Sequence, residues 1–463
     1  MMKSLSVTRI IQWMTCLVLF LLPWQTVYIV SQKKINQFVW VYGTQAFYLV
    51  GCLIWVLIVL FLFFCIQKFR TVMCSGWYKK CYYVGVARVS CIVLWLYIFF
   101  SVFWALDPSL ALQHNVYFFG AVLLGAVIIF GPTNLGSIIV SFLSGSLVQA
   151  FMSFWQVSVQ EVTPSTLLGI AAKIPSDAGT SVIHGLGVGR WLRAYAGLPH
   201  PNIFGGLMCF SLILLIGCVF FWYQKSARSS KILMLSAVVI LFLGLWVSFS
   251  RAAIIAFFTW FFLLGVYLFS TLGEESDVLR LYRKIFFVIV CALVYAVLVF
   301  FPQVMTRVGV SSAYELRSVV ERVDGYTVWA EMVSEYFWFG TGFGGYTVAL
   351  QNHLPELPGW VYQPVHNTFL LVFFEMGFVG FVVLLFFLAF VLKKIVQVLQ
   401  EKKVLRPYML VGVFLSPVMV IGLLDHYLFS LHVGLLMVFV YLGVLVRSIV
   451  SFPQLVHYFY KKS

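Results

Sequence analysis

The chain consists of long apolar stretches separated by mostly short polar connections. A helix that crosses a bilayer requires about 20 mostly apolar residues, and twelve such stretches can be placed along the 463 residues. They cover residues 10–31, 44–66, 84–105, 115–131, 137–158, 201–223, 232–249, 252–270, 286–302, 367–392, 408–424 and 428–447. The sequence therefore predicts an all-α fold, in which residues 1–463 form one integral membrane domain, a polytopic bundle of about 12 transmembrane helices.

The composition excludes the other broad classes of protein. Hydrophobic residues make up 62% of the chain and charged residues 10%, whereas soluble domains average about 45–50% and about 25%. Disordered chains are poor in aromatic residues, and this chain is 18% Phe, Trp and Tyr. We therefore expect the chain to be embedded among membrane lipids.

The charged residues predict the orientation of the bundle. If the N-terminus is cytoplasmic, 21 of the 30 basic residues fall on the cytoplasmic side and nine on the outer side. This bias is typical of membrane proteins and also predicts a cytoplasmic C-terminus. The net charge of +15 then reflects topology, so no nucleic-acid partner is expected. Seven of the eight histidines and ten of the fifteen acids fall on the outer side, where we expect the functional site.

Two outer connections, residues 159–200 and residues 303–366, are much longer than the others. Connections of this length are usually functional or disordered. The second contains apolar and aromatic residues at near-helical spacing: Tyr314, Val319, Val323, Tyr326, Val333 and Tyr336. This pattern predicts a helix, which either lies on the membrane surface as an amphipathic helix or caps the bundle as a solvated loop helix.

The end of the second long connection carries two further motifs. Glycines dominate residues 340–345, a pattern that fits either an anion-binding loop, through exposed backbone N–H groups, or a simple tight turn. His366-Asn367 follows, and Gly377 and Gly380 come later in the same span. A histidine at the outer mouth of a helix is either an interfacial anchor or a catalytic base.

Three arginines accompany these motifs on the outer side. Arg193 precedes the sixth span, Arg251 lies in a tight turn between the seventh and eighth spans, and Arg322 opens the helical stretch before the glycines. A guanidinium at the edge of the hydrocarbon usually has a partner, and several together suit a diphosphate bound bidentately. Snorkelling or pairing with a nearby acid is the alternative, and it fits Arg322 best.

Taken together, these motifs resemble the O-antigen ligase and polymerase superfamily of bacterial inner-membrane proteins, most strongly from about residue 190 to 392. They are Arg193…Gly197…His200-Pro201-Asn202, Ser248-Phe249-Ser250-Arg251, Arg322…Gly340-Thr341-Gly342-Phe343-Gly344, His366-Asn367 with Gly377 and Gly380, and Ser101…Trp104-Ala105-Leu106-Asp107-Pro108. The chain departs from the family at Phe337, where relatives often carry proline. The His-Asn-x9-Gly-x2-Gly pattern resembles the signature of the ligase branch.

The resemblance implies a GT-C-like bundle in the bacterial inner membrane, with two long periplasmic loops containing short helices. It implies transfer of a glycan from undecaprenyl diphosphate to the lipid A core or a similar acceptor. His366 would then be the catalytic base, and Arg193, Arg251 and Arg322 would bind the diphosphate. Asn367, Gly342, Gly377 and Gly380 would support the site.

Several alternatives remain open at this stage. A polymerase has the same architecture, and Glu375, inside the tenth span, would suit a transporter or flippase if it relayed protons. Glu331 and Glu335 either bind acceptor hydroxyls or keep the loop soluble. A diphosphate is a good leaving group, and neither an outer Asp-x-Asp pair nor a metal-ligand spacing is present in the sequence, so no metal or other cofactor is expected.

Overall fold

The computed structural model describes residues 6–73, 85–185, 189–309 and 313–451. The predicted start of the third span, at residue 84, lies outside these residues. So do both ends of the chain, for which a cytoplasmic location was predicted.

The described residues form a helical bundle close to the predicted one. Two short apolar helices, α1 (Val7–Leu21) and α3 (Gly85–Phe100), occupy the first and third predicted positions. Ten further helices are long and apolar enough to cross a membrane. They are α2 (Leu49–Met73), α4 (Pro108–Phe130), α5 (Leu135–Val159), α6 (Pro201–Trp222), α7 (Arg228–Val247), α8 (Arg251–Thr271), α9 (Asp277–Val299), α13 (Thr368–Glu401), α14 (Pro407–Leu424) and α16 (His432–Ser451). The short helix α15 (Tyr427–Ser430) lies between the last two. The prediction of a polytopic helical membrane bundle is confirmed.

The first span is shorter than predicted. The helix ends at Leu21, and Pro23 follows two positions later, where its missing backbone N–H cannot continue the helical hydrogen bonds. Strand β1 (Val27–Ser31) follows and pairs antiparallel with β4 (Gln45–Tyr48). Between them lies the smaller hairpin of β2 (Lys34–Ile35) and β3 (Phe38–Val39). The predicted helical conformation of residues 22–31 is therefore wrong, and β-branched residues in this segment favour the strand.

The first long connection also contains a hairpin. Strands β5 (Val182–Gly185) and β6 (Gly189–Leu192) pair antiparallel, with Val182 opposite Leu192. The short helix that the resemblance implied for this connection is not found in its described residues. The hairpin brings the chain directly to Arg193.

The second long connection contains helices α10 (Phe301–Gly309), α11 (Ala313–Met332) and α12 (Tyr346–His353), as expected. Its apolar side chains, among them Tyr346 and Tyr362, form a separate small core with Phe374 of α13 and with Trp40, which follows β3. Tyr326 and Trp329 of α11 pack on this core. The helix therefore caps the bundle.

Not every residue expected on the packed face of α11 lies there. Val323 is 55% exposed, and the side chains of Tyr314 and Val319 lie outside the described set. Two hydrogen bonds fix the helix near the predicted site. Tyr326 Oη donates to the His366 carbonyl at 3.4 Å and Trp329 Nε1 to the Leu370 carbonyl at 3.1 Å.

Helix α13 is broken at Gly377, whose φ of +64° favours glycine. The break exposes backbone groups to which the segment that precedes α12 is hydrogen-bonded. Phe378 N donates to Phe337 O at 2.7 Å, and Gly342 N donates to Glu375 O at 3.1 Å. A Cβ on Gly377 would lie 2.4 Å from Gly340 N, so the two glycines are needed for this close backbone approach.

Candidate active site

Two buried glutamines of α5 form hydrogen bonds with the backbone of the loop that carries Arg193. Gln156 accepts hydrogen bonds from the N–H groups of Tyr195 and Ala196 and donates to the Ala196 carbonyl, and Gln149 accepts from Gly197 N. A buried loop needs such partners because its backbone groups cannot reach water. The glutamines thereby fix the path of the chain from Arg193 to α6.

Arg193 is 7% exposed and joins two elements of the bundle. Its Nε donates to the Ser248 carbonyl at 3.0 Å, in the turn that precedes α8. Its Nη2 donates to Asn202 Oδ1 at 2.7 Å, at the start of α6. These two bonds hold the guanidinium in a fixed orientation.

Further positively charged groups lie beside the turn formed by Ser248–Ser250. Phe249 has a φ of +47°, and α8 begins immediately afterwards at Arg251, with Ser250 as its N-cap. Arg307 of α10 donates from Nη2 to the Phe249 carbonyl at 3.3 Å. A helix N-terminus carries partial positive charge and binds anions. Arg193, Arg307 and Arg251 therefore lie on or beside one positively charged turn.

His366 lies at the entrance to α13, with its side chain 27% exposed. Its Nδ1 is 3.7 Å from Oδ1 of Asp425, which follows the last residue of α14. Asn367 caps α13, because its Oδ1 accepts from the N–H groups of Phe369 and Leu370. The cap fixes the point at which the helix begins and hence the position of His366.

Asp425 is 2% exposed and lies at the centre of the cluster. Its Oδ2 accepts from Asn202 Nδ2 at 2.7 Å and its Oδ1 from the His426 N–H at 2.8 Å. Burial alone would favour the neutral acid, but the hydrogen-bonding and charge effects of His366, with the nearby His426 and His200, hold the pKa of Asp425 below its usual range. The group is a buried carboxylate.

Asn202 connects the two halves of the site. Its amide oxygen accepts from Arg193 and its amide nitrogen donates to Asp425. An amide side chain both donates and accepts, so Asn202 bridges a cation and an anion without adding charge. The chain of contacts runs from the Ser248 turn through Arg193, Asn202 and Asp425 to His366.

Two further histidines border Asp425, and both remain neutral at ordinary pH. Burial, with the charge of Arg193, lowers the pKa of His200 to about 3, and burial similarly lowers that of His426 to about 3. His200 Nδ1 accepts from Asn202 N at 3.1 Å, so its proton is on Nε2, 2.8 Å from Ser181 Oγ. His200 is therefore a helix cap and cannot act as a base toward Ser181.

Arg322 lies on α11, the helix that Tyr326 and Trp329 connect by hydrogen bonds to His366 and Leu370. Its charge adds a small contribution to the low pKa of His426, after burial and the charge of His366. The His426 ring is 5.1 Å from the ring of His366. Glu331, on the same helix, contacts His353 Nε2 at 3.3 Å.

The glycine loop has a structural role. Thr341 N and Gly342 N donate to the carbonyls of Phe374 and Glu375, and the Glu375 carboxylate accepts from Gly344 N at 2.9 Å and Tyr346 N at 3.4 Å. Because these N–H groups are hydrogen-bonded within the protein, the loop is a tight turn and not an anion-binding loop. The Glu375 carboxylate thus accepts hydrogen bonds from backbone N–H groups at the start of α12, where a negative charge is favourable.

The Trp104-to-Asp107 segment completes this support. Trp104 Nε1 donates to the Phe339 carbonyl at 3.1 Å, and a Cβ on Gly342 would lie 2.5 Å from that of Ala105. Similarly, a Cβ on Gly380 would meet the Tyr97 ring at 2.2 Å. Both glycines are required for close packing beneath the site.

His366, Asp425 and His426 each offer a metal-ligand atom, and these atoms lie within 4.8 Å of one another. Tetrahedral zinc with bonds near 2.0–2.1 Å requires ligand atoms about 3.3 Å apart. In addition, His426 Nδ1 is 2.7 Å from Ser430 Oγ. The three side chains would have to move closer to bind a metal ion, and the expectation of a metal-free site stays a prediction.

The sequence of the middle third of the chain matches a known family. Residues 236–385 match the model of the O-antigen ligase family. This match covers 150 of the 463 residues. The assignment supports the O-antigen ligase/polymerase superfamily, a glycosyltransferase-type enzyme, and lipid-linked glycan and glycan acceptor substrates in general. No curated protein sequence matches the chain.

The matched range does not contain the whole candidate site. Arg251, Arg322 and His366 lie within it, whereas Arg193 and Asp425 lie on either side. Sequence reasoning missed Asp425, Asn202 as a bridge, and Arg307. The acid at the outer end of the eleventh span, followed directly by His426, was the one available signal for Asp425.

Proposed function

We propose that the protein transfers a glycan from undecaprenyl diphosphate to a hydroxyl group of the lipid A core, or of a similar glycan acceptor, at the periplasmic face of the bacterial inner membrane. The observation that carries the proposal is the continuous set of contacts from the Ser248 turn to His366. It joins a positively charged region suited to a diphosphate with a histidine–carboxylate pair suited to proton transfer.

In this mechanism the diphosphate binds beside the Ser248–Ser250 turn, where Arg193, Arg251 and the start of α8 neutralise it. Arg307, which is hydrogen-bonded to the turn, and Arg322 add positive charge. As the bond between the sugar C1 and the diphosphate oxygen breaks, the electron pair stays on the leaving group. Fixed positive groups stabilise this growing charge, which is often the largest contribution to catalysis.

His366 removes the proton from the attacking acceptor hydroxyl. With Nδ1–H directed at the Asp425 carboxylate, the lone pair is on Nε2, as in other histidine–carboxylate pairs. The present separation of 3.7 Å is longer than a hydrogen bond, and such contacts often shorten only when substrate binds. The hydroxyl oxygen forms the new bond to C1 from the opposite side, so the anomeric centre is inverted.

The experiment that tests the proposal uses the purified full-length protein in liposomes with a lipid-linked glycan donor. His366→Ala should abolish transfer, and Arg251→Lys should lower it strongly if bidentate contact is needed. Lys394→Gln, a change on the exposed surface of α13, serves as the matched control. Full transfer by His366→Ala would refute the proton-acceptor role.

The acceptor distinguishes ligase from polymerase. A strain that lacks the protein should keep full-length glycan on the lipid carrier and lose capped lipopolysaccharide. Capping with a single repeat would instead identify a polymerase.

The transporter alternative is weakened because Glu375, its proposed proton relay, accepts hydrogen bonds from two backbone N–H groups.

A further inference from the structure

A cavity of about 240 Å³ lies within the bundle at the end opposite the candidate active site. It is bounded mainly by α5, α6, α8, α14 and α16, and its wall is almost wholly apolar. The hydroxyls of Tyr267, Thr271 and Ser448 in the wall all donate to backbone carbonyls. An apolar cavity does not hold water well, so the wall favours an apolar ligand.

One residue of helix α6 leaves space beside this cavity because it has no side chain. The helix is buried along nearly its whole length, yet Gly217 is exposed and lines the cavity. A Cβ built on Gly217 meets no atom within 4 Å. The glycine therefore leaves free volume where any larger side chain would enter the cavity.

Positive charge surrounds one edge of the cavity. Lys402, which lines it, donates from Nζ to the carbonyls of Ile449 and Val450 at the end of α16. Lys403 and Arg406 in the same connection are exposed and adopt positive φ angles of 57° and 48°. Because an ammonium group has three donors, Lys402 retains one for a ligand among the described residues.

We propose that this cavity binds part of an acyl chain of an anionic phospholipid whose phosphate group lies at Lys402. At about 30 Å³ for each water-sized group, the volume accommodates on the order of eight methylene-sized groups, comparable to half of one acyl chain. Basic pockets between transmembrane helices are suited to anionic lipid headgroups. The apolar wall and the single basic edge match the two parts of such a lipid.

The position of the cavity links lipid binding to the candidate site. Helices α6, α8 and α14 line the cavity near one end, and at their other ends stand Asn202, Arg251 and Asp425. A lipid between these helices would stabilise their packing far from the reacting groups. Its binding is measured without glycan transfer, so this inference and the proposed catalytic function can fail separately.

The first test blocks the cavity. In native mass spectrometry of the full-length protein, added phosphatidylglycerol should be retained, and it should raise the thermal unfolding temperature. Gly217→Leu should reduce retention at least tenfold and abolish the thermal shift, while the lipid-free variant unfolds no lower than wild type. Gly412→Leu is the matched control, since Gly412 of α14 is also exposed with no atom within 4 Å of a built Cβ and does not line the cavity.

The second test removes the charge. Lys402→Gln should weaken phosphatidylglycerol binding about fivefold, the effect expected for one lysine near an anionic headgroup, while Lys394→Gln should not. Equal retention of phosphatidylcholine would overturn the requirement for an anionic headgroup. Unchanged binding by Gly217→Leu would overturn the site. Displacement of phosphatidylglycerol by equimolar undecaprenyl phosphate would overturn the assignment to a phospholipid.

Discussion

Nδ1 of His366 lies 3.7 Å from Oδ1 of Asp425, and that carboxylate is held in place by the amide of Asn202. The proposed base thus faces a buried acid that is itself tied, through Asn202, to Arg193. In the proposed mechanism, one uncharged side chain therefore couples proton transfer to diphosphate binding.

The first prediction concerns Asp425. Asp425→Asn removes the negative charge that orients and stabilises a protonated His366, and we expect transfer to fall by roughly 10²–10⁴-fold with little change in donor KM. Kinetics of the reconstituted enzyme measure this. The His366→Ala, Asp425→Asn double variant should be no slower than His366→Ala alone, and additive losses would argue against a shared role.

Asn202 provides a test of the bridge. Asn202→Asp retains an acceptor for Arg193 but replaces the donor toward Asp425 with a second carboxylate, so we expect at least a tenfold loss of transfer. Asn134→Asp is the control, because Asn134 is the N-cap of α5 and aspartate caps a helix about as well. An active Asn202→Asp enzyme would show that the bridge is dispensable.

Arg307 is expected to contribute to donor binding. Arg307→Gln removes a charge beside the Ser248–Ser250 turn, and we expect the donor KM to rise about tenfold with a smaller change in kcat. The control is Arg280→Gln, since Arg280 pairs with Asp277 at the opposite end of the bundle. A KM equal to that of wild type would exclude Arg307 from the diphosphate region.

These residues show where sequence reasoning was sufficient and where it failed. Apolar length located the spans and the charge pattern drew attention to the connections that carry Arg193, Arg251 and His366, because both signals are local. Asn202 and Asp425 are 223 positions apart, and no local pattern indicates that they touch. Residues 22–31 are apolar enough for a membrane-spanning helix, but Val27–Ser31 instead form a strand that pairs with Gln45–Tyr48.

The glycine loop illustrates the same limit. Its composition was compatible with anion binding, yet its N–H groups are taken by Glu375 and by the carbonyls exposed at the break in α13. Local sequence shows that the backbone can adopt unusual conformations but does not show which groups it will meet.

The break in α13 makes a prediction about stability. Gly377→Ala places a Cβ 2.4 Å from Gly340 N at a φ of +64°, and we expect a loss of roughly 1–3 kcal/mol. Gly325→Ala is the control, because a Cβ there meets no atom within 4 Å and alanine favours the helix by up to about 1 kcal/mol. Thermal unfolding in detergent compares the two. Equal stability would mean that the contact between Gly340 and Gly377 is not needed.

The buried neutral histidines predict how stability depends on pH. The pKa of His200 is about 3 in the folded protein and near 6.5 when unfolded, so between these values the unfolded chain binds more protons. Stability should therefore decrease as the pH falls below 6.5, by up to about 1.4 kcal/mol per pH unit for this group. His200→Asn retains an oxygen that can cap α6 but removes the titration, so unfolding between pH 7.5 and 5 should depend less steeply on pH. His426, with a similarly low pKa, should maintain part of the wild-type slope in this variant. An unchanged slope would show that His200 becomes protonated in the folded protein.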